Sequence, residues 1–328
     1  MHIPDGYLSP KTCGLFFAAM LPVWYAASRW TMRSPGFKGF PLLALGAAFS
    51  FIIMMFNVPI PGGSSGHMTG TVVLGIVLGP WAALIAGSIT LALQALLFGD
   101  GGILAFGANS FNMALIMSFS GFYVYRALVL GTPGRLRGVV APAVAGYVAI
   151  NLCAFAAALE LGAQPIIAVD AQGAPLYAPY SLSITVPAMM IPHLLFFGPI
   201  EALGTALVLS YVRKQEAQRH EKVAYGAYNG IATLMVGLLV LALLTPIGLI
   251  ASGTPWGEWS VAELSSLTGF VPAGMARLGE MWPGLAPDYG QANQATPLVK
   301  AGYYVLSAIA GSAIIVAAIY LWGRICRR

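Results

Sequence analysis

The residues best equipped for chemistry are Met1 and His2 at the start of the chain and His67 in a glycine-rich loop. A free α-amine, the amide nitrogen of residue two and the Nδ1 of a histidine at residue two close adjoining five- and six-membered chelate rings around one metal ion. A fourth ligand is then missing, and His67 can supply it. The resulting planar all-nitrogen set suits Ni(II) or Cu(II), and less readily Co(II), better than the tetrahedral sets of zinc; Mg(II) and Ca(II) take oxygens instead. A plainer account stays open at this point, because an imidazole in a loop often serves only as a hydrogen-bonding group. If Met1 and His2 bind metal, the mature protein begins at Met1. No positive charge precedes the first polar stretch and no small-residue cleavage site follows it, so no signal peptide is expected.

The elements that must position these residues are membrane helices. With 328 residues, 58% of them hydrophobic and only 8% charged, and a mean hydropathy of +0.80, the chain falls far from the ~25% charged residues of soluble domains. Apolar runs of about the length that crosses a bilayer lie near residues 12–30, 41–58, 68–79, 80–98, 103–126, 138–160, 183–212, 227–251 and 301–323. The sequence therefore predicts an all-α integral membrane protein of about nine spans, a seven-helix bundle followed by a two-helix unit. The third run is short and parts from the fourth mainly at Gly79-Pro80, so one kinked helix is the alternative. Charge favours two. With nine spans and an outside N-terminus, Arg29, Arg33, Lys38, Arg126, Arg135, Arg137, Arg213, Lys214, Arg219, Lys222, Arg324, Arg327 and Arg328 fall inside, and only Lys11, Arg277 and Lys300 fall outside. That bias is the positive-inside pattern, and merging two spans inverts every later loop and destroys it. The net charge of +5 is thus a matter of topology and points to no nucleic acid.

Residues 213–222, RKQEAQRHEK, read as a linker between a domain of residues 1–215 and one of 216–328. Between the last two spans, roughly 252–300, Trp256, Trp259 and Trp282 with Glu258, Glu263, Glu280 and Asp288 suggest a small ordered element on the outer side, lying on the first unit. Cys13, Cys153 and Cys326 have no spacing for zinc or disulfides and read as packing residues.

Several polar residues could serve the metal. In PGGSSGHMTG, residues 61–70, the glycines permit close backbone approach, and Ser64, Ser65 and Thr69 can orient the His67 ring or satisfy the loop backbone. Asp100, Asn109, Ser110 and Asn112 begin or enter an apolar helix, where they either steady the loop or pair helices. Met54, Met55, Met68, Met113 and Met117 read as packing rather than as sulfur ligands. Glu160, His193 and Glu201 lie in or near spans and are the groups a proton relay would use, although Pro192 and Pro199 leave freed carbonyls for neighbouring side chains to satisfy. Ala44 with Ala48 and Gly46 with Ser50 form small-xxx-small pairs whose face docks either inside the molecule or against another membrane subunit. No GxxxxGK[ST] loop is present, so energy for uphill transport comes from elsewhere.

Together, MHIPDGYLSP, GGSSGHMTG and GPWAALIAGSITLALQALLFGDGGILAFGANSFNM resemble the CbiM/NikM family, the substrate-binding membrane subunits of energy-coupling-factor transporters for cobalt and nickel. Residues 1 to about 215 carry the resemblance. The remainder, with WGEW at 256–259 and PDY at 287–289, is similar to the accessory subunit NikN or CbiN, as in a natural fusion. The resemblance implies a seven-helix metal-capturing bundle in a prokaryotic cell membrane, its N-terminal segment inserted from outside. It implies ligation by the amine of Met1, the amide nitrogen and imidazole of His2, and His67, with no bound cofactor besides the transported Ni(II) or Co(II). It also implies a transmembrane coupling subunit of the NikQ/CbiQ kind and cytoplasmic ATPases of the NikO/CbiO kind as partners, so that this chain is a transport subunit and not an enzyme. Nickel is preferred over cobalt on the PDGY start and the fused tail. The alternative from another class is a self-sufficient proton-driven metal transporter using His193 and Glu201.

Overall fold

The structure, a computed structural model, describes residues 1–33, 39–61, 63–130, 135–221, 228–251, 253–290 and 296–326. Lys38, Lys222, Arg327 and Arg328 lie outside these residues. The helices are α1 (Pro10–Arg33), α2 (Phe40–Met54), α3 (Thr71–Leu78), α4 (Pro80–Leu93), α5 (Phe106–Asn109), α6 (Met117–Val129), α7 (Arg135–Ile167), α8 (Leu182–Pro192), α9 (Gly198–Glu221), α10 (Tyr228–Leu244), α11 (Val261–Thr268), α12 (Ala273–Leu278), α13 (Pro287–Gly290) and α14 (Pro297–Cys326). A two-residue hairpin, β1 (Val58–Pro59) with β2 (Ser65–Gly66), is the one sheet among the described residues. Five stretches are long and apolar enough to cross a membrane, at Pro80–Phe98, Gly138–Ile167, Leu182–Lys214, Ala232–Ile250 and Pro297–Ile325, with Phe40–Met54 shorter. The chain is an all-α, multi-pass membrane protein.

The third and fourth runs are separate helices. Gly79 takes φ +88°, Pro80 opens α4, and Gly87 of α4 packs back against Thr71 of α3, so the two form an antiparallel hairpin. α3 has only 8 residues and is about 12 Å long, too short to span alone; residues 67–70 complete that pass as irregular backbone buried inside protein, where alone a membrane tolerates it. The helical stretch opened by α9 runs on through Glu221, so the polar run 213–222 continues that helix nearly to its end instead of beginning a loop.

The small-residue face of α2 docks inside this molecule. Ala44, Ala48 and Ser50 are buried, and a side chain at Gly46 meets Leu74 of α3. α14 lies along the same helix, with Gly311 against Phe51 and Gly323 against Phe40.

Three π-helical stretches, Gln94–Phe98, Ser110–Ile116 and His193–Phe197, interrupt helices that converge on one end of the bundle. Such bulges recur at functional sites because each redirects the side chains that follow it. The same end gathers residues 1–9, the β hairpin, the segment 98–105 and the segment 253–290.

Close packing makes a direct test of α3. A side chain at Gly75 would come 2.8 Å from the main-chain oxygen of Ser118. Gly75→Ala is expected to cost about 1–3 kcal/mol despite its better helix propensity, lowering the melting temperature in detergent, whereas Gly14→Ala in α1, with nothing within 4 Å, is expected not to.

Candidate metal site

Residues 1–9 precede the first helix yet run into the protein: His2, Ile3, Tyr7 and Leu8 are each at most 2% exposed. Buried main chain of this kind needs partners, and the sequence supplies them. Asn109 accepts from the Ile3 N–H at 2.8 Å and donates to the Ile3 carbonyl at 3.0 Å. The same carbonyl accepts from the Gly102 N–H at 2.9 Å. Asp5 accepts from the N–H groups of Ile103 and Leu104 at 3.1 and 2.8 Å, and a side chain at Gly102 would collide with Asp5. Gly6 takes φ +84° and presses on Gly279. Tyr7 donates to the carbonyl of Trp259, and its own carbonyl accepts from Ala178. Thus IPDGY is a docking segment in which nearly every residue has a partner.

The His67 loop is held from below and from above. Ser50 of α2 donates to the Thr69 carbonyl at 2.7 Å, and Glu201 of α9 accepts from the Thr69 N–H at 2.9 Å. Gly66 leaves room for the Phe197 ring, which a side chain there would strike at 2.7 Å. Ser65 donates to the Gly253 carbonyl, and Ser64 accepts from the Trp256 N–H. Of the two roles expected for Ser64, Ser65 and Thr69, the structure thus realises backbone support, and none of the three bonds the His67 ring. That ring shares its Nδ1 hydrogen bond with the Met68 carbonyl at 3.1 Å, which makes Nδ1 the protonated nitrogen and leaves the Nε2 lone pair available to a ligand.

His2 and His67 meet with ring centroids 5.2 Å apart and planes inclined by 38°. Two imidazoles bound side by side to one ion, with metal–nitrogen bonds of about 2 Å, put their centroids roughly 4–5 Å apart. Neither ring nitrogen of His2, both buried, makes a hydrogen bond of good geometry; the Gln94 side chain approaches the ring, and Asp100 Oδ1 stands 3.2 Å from Nδ1 but out of line for a hydrogen bond. The Met1 ammonium lies beside them, paired with Glu258 at 2.5 Å. Two small cavities of about 20 and 10 Å³ flank Met1, the larger also lined by His67, His193, Phe197 and Trp256, the smaller by His2 and Glu258. They admit a bare ion or one water and exclude a hydrated ion. Burial first, then the neighbouring ammonium, lowers His2 to about 4, so its ring is neutral, the form that ligates. Among the described residues no three His, Cys, Asp or Glu side chains gather as a metal site, so any ion held here depends on main-chain nitrogen.

The remaining candidates divide. Asn109 serves the N-terminal segment. Asn112 donates to Glu160 at 2.8 Å and Ser110 leaves its hydroxyl without a partner, so neither side chain hydrogen-bonds the His67 loop. His193 bonds the Met189 carbonyl one turn back, beside Pro192, while Glu201 anchors the loop. Met54, Met55, Met113 and Met117 are buried among apolar side chains, and Met117 also accepts from the Thr69 hydroxyl. Cys13 and Cys153 are buried and unpaired. Sequence reasoning named Asp100 only as a group that steadies the loop or pairs helices, and missed Asp5, Glu258 and Tyr289 as neighbours of the site. For Asp5 the signal was its place in the turn-forming Pro4-Asp5-Gly6; the contacts of Asp100, Glu258 and Tyr289 span about 100 to 260 residues and leave no local trace.

Residues 2–219 match the model of the CbiM family, described as the cobalt uptake substrate-specific transmembrane region. The chain belongs to the CbiM family. Residues 232–328 match a second model, the PDGLE domain. Among relatives of this CbiM chain is the fused nickel transport protein NikMN of Rhodobacter capsulatus, 44% identical, the alignment covering 98% of this chain and 96% of that one. Two crystal structures share the fold at 50% identity. One is of a transition metal transporter, with a TM-score of 0.63 over 69% of this chain and 98% of that one. The other is of a truncated transition metal transporter, with a TM-score of 0.61 over 65% and 99%.

Two outcomes are expected from this geometry. Asn109→Ala strands the Ile3 N–H and weakens its carbonyl's bonding, at about 1–3 kcal/mol for an orphaned group, and is expected to release residues 1–9 to proteolysis. The metal-free protein is expected to melt lower at pH 5 than at pH 7.5. The undocked His2 ring takes up a proton near its ordinary 6.5 and the docked ring only near 4. The stabilisation is thus complete above 6.5 and lost as pH falls below it, by at most about 1.4 kcal/mol per unit. His2→Gln should shrink the difference.

Proposed function

We propose that this chain is the metal-capturing membrane subunit of an uptake system for Ni(II), with Co(II) the close alternative, and that Met1, His2 and His67 hold the ion through four nitrogens. One observation carries the reading: a fully buried histidine with neither ring nitrogen in a well-formed hydrogen bond, set between the terminal amine and a second histidine. Apolar packing alone gives no reason to bury such a ring, since an unbonded polar group costs free energy there, while a missing ligand does. The metal preference follows the nickel relative that aligns over nearly the whole chain; the family description names cobalt.

In this reading the chain has two functional units, residues 1–215 and 216–328, and the end of the bundle that holds Met1 faces outward. The chain is a transport component and not an enzyme. An incoming ion sheds its water to fit the cavities beside Met1. It then exchanges for the proton of the terminal amine and the proton of the His2 amide, both of which must leave before those nitrogens can coordinate. Because the chain has no phosphate-binding loop, a transmembrane coupling subunit and cytoplasmic ATPases supply the energy. His193 and Glu201, the residues the proton-driven alternative relies on, each hold a main-chain group here.

The test is Ni(II) and Co(II) binding to the purified chain by calorimetry and visible absorption, beside a variant with one glycine inserted between Met1 and His2. The insertion keeps every side chain and breaks the chelate. Loss of tight binding and of the planar-nickel band is expected; binding equal to the parent's means that the first two residues do not ligate. The parent's affinity is also expected to fall from pH 8 to pH 6, where the His2 ring remains neutral and the amine and amide compete for protons. A flat profile would falsify the deprotonated chelate.

A further inference from the structure

Two of the proposed donor nitrogens are touched by groups that the C-terminal unit controls. Glu258, on the tight turn after Trp256, accepts from the terminal amine at 2.5 Å. On the other side Tyr289 donates to Asp100 Oδ2 at 2.5 Å, and the second oxygen of that carboxylate is the one 3.2 Å from His2 Nδ1. Gln94 bridges Asp100 and Tyr289, donating toward each at 3.4 Å.

Tyr289 is put there at a cost in backbone conformation. Asp288 and Tyr289 have φ +50° and +60°, the only non-glycine residues with positive φ among those described, a state that persists only where the surroundings impose it. The surroundings are visible. The Ala286 N–H bonds the Leu97 carbonyl, Ser307 of α14 donates to the Tyr289 carbonyl, and the ring stacks on Phe98 at 4.6 Å. A ring needed only for packing would not require its hydroxyl aimed at a carboxylate beside His2. Both Glu258 and Tyr289 lie within the segment matched by the PDGLE model.

We propose that the C-terminal unit is part of the capture site, with Glu258 and Tyr289 as positioning residues: Glu258 aligns the amine of Met1, and Tyr289 fixes the carboxylate of Asp100 that stands as counter-charge beside His2 Nδ1. The proposal rests on the four-nitrogen reading and adds to it. Groups that orient ligands in this indirect way typically contribute 10- to 100-fold in metal affinity.

The experiment uses the full chain in detergent, titrated with Ni(II) and followed by calorimetry and the planar-nickel absorption band. Tyr289→Phe keeps the stacked ring and removes one hydroxyl; Glu258→Gln keeps the shape and removes the charge. Each is expected to weaken Ni(II) about 10- to 100-fold with the band retained and the melting temperature within a degree or so of the parent's. Tyr304→Phe serves as the packing control, since Tyr304 touches the same ring edge-on and donates to the Met55 carbonyl, away from the site. It is expected to leave affinity unchanged. Affinities within twofold of the parent for both variants, or an equal loss in Tyr304→Phe, overturn the proposal. The glycine insertion separates the two levels. If it abolishes binding while Tyr289→Phe and Glu258→Gln bind like the parent, the chelate stands and the positioning role falls; if it changes nothing, both fall together.

Discussion

The constraint on which the rest of the structure depends is the burial of a chain terminus. An ammonium group and the first peptide units are among the costliest things to bring into an apolar interior, and termini usually remain outside. Here the price is met group by group. Glu258 pairs the charge, Asn109 and Gly102 satisfy Ile3, Asp5 caps the segment before α5, and Tyr7 is bonded at both its hydroxyl and its carbonyl. Within residues 1–9 the side chain left without a well-formed hydrogen bond is the His2 ring.

That burial explains features of the fold that otherwise look like defects. Residues 67–70 cross part of the bundle without helical hydrogen bonds and so depend on Ser50 and Glu201 for their polar groups. Gly66, Gly102 and Gly6 each lie where a side chain would collide with Phe197, Asp5 or Gly279. A fully regular bundle would have no room for an extended N-terminal strand. The π turns beside Gln94, Asn112 and His193 and the hairpin at Gly79 are where helices yield that room.

Much of this was legible in the sequence, and the part that was not has a physical cause. Hydropathy and the placement of arginines expose the passes because bilayer thickness imposes length and the positive-inside bias imposes parity; the division at Gly79-Pro80 follows from parity alone. Met1, His2 and His67 could be named because chelate-ring size is a property of adjacent atoms. Pairings such as Met1 with Glu258 or Asp100 with Tyr289 leave no local signature, since any of several acidic residues in the 252–300 segment fits the composition equally well. Ala44, Gly46, Ala48 and Ser50 show the same limit: small residues announce close contact but not the partner, and at Gly46 the neighbours are Leu74 and Leu78 of α3. Glu201 could be noted only as an acidic residue in a span; that it bonds the Thr69 N–H, 132 residues away, has no local trace.

Charge explains why a divalent ion is a natural occupant on the four-nitrogen reading. The metal-free site carries one positive charge, the ammonium, between neutral rings, with Glu258 and Asp100 beside it. Binding a divalent ion removes one proton from the amine and one from the His2 amide, so the ion and the amide anion together again carry one positive charge. The two carboxylates therefore face the same net charge before and after capture, and the buried surroundings, where a change of one unit is expensive, need not reorganise. A monovalent ion making the same bonds would leave the site neutral beside two carboxylates, and a trivalent one would add a charge the site does not balance. Nitrogen donors then disfavour Mg(II) and Ca(II), which take oxygen. Cu(II), which outranks Ni(II) in intrinsic affinity, passes both of these filters, so discrimination against it has to come from geometry or availability: the placement of the His67 ring relative to His2, held by Ser50, Glu201 and Phe197, is the part of this structure that can impose it.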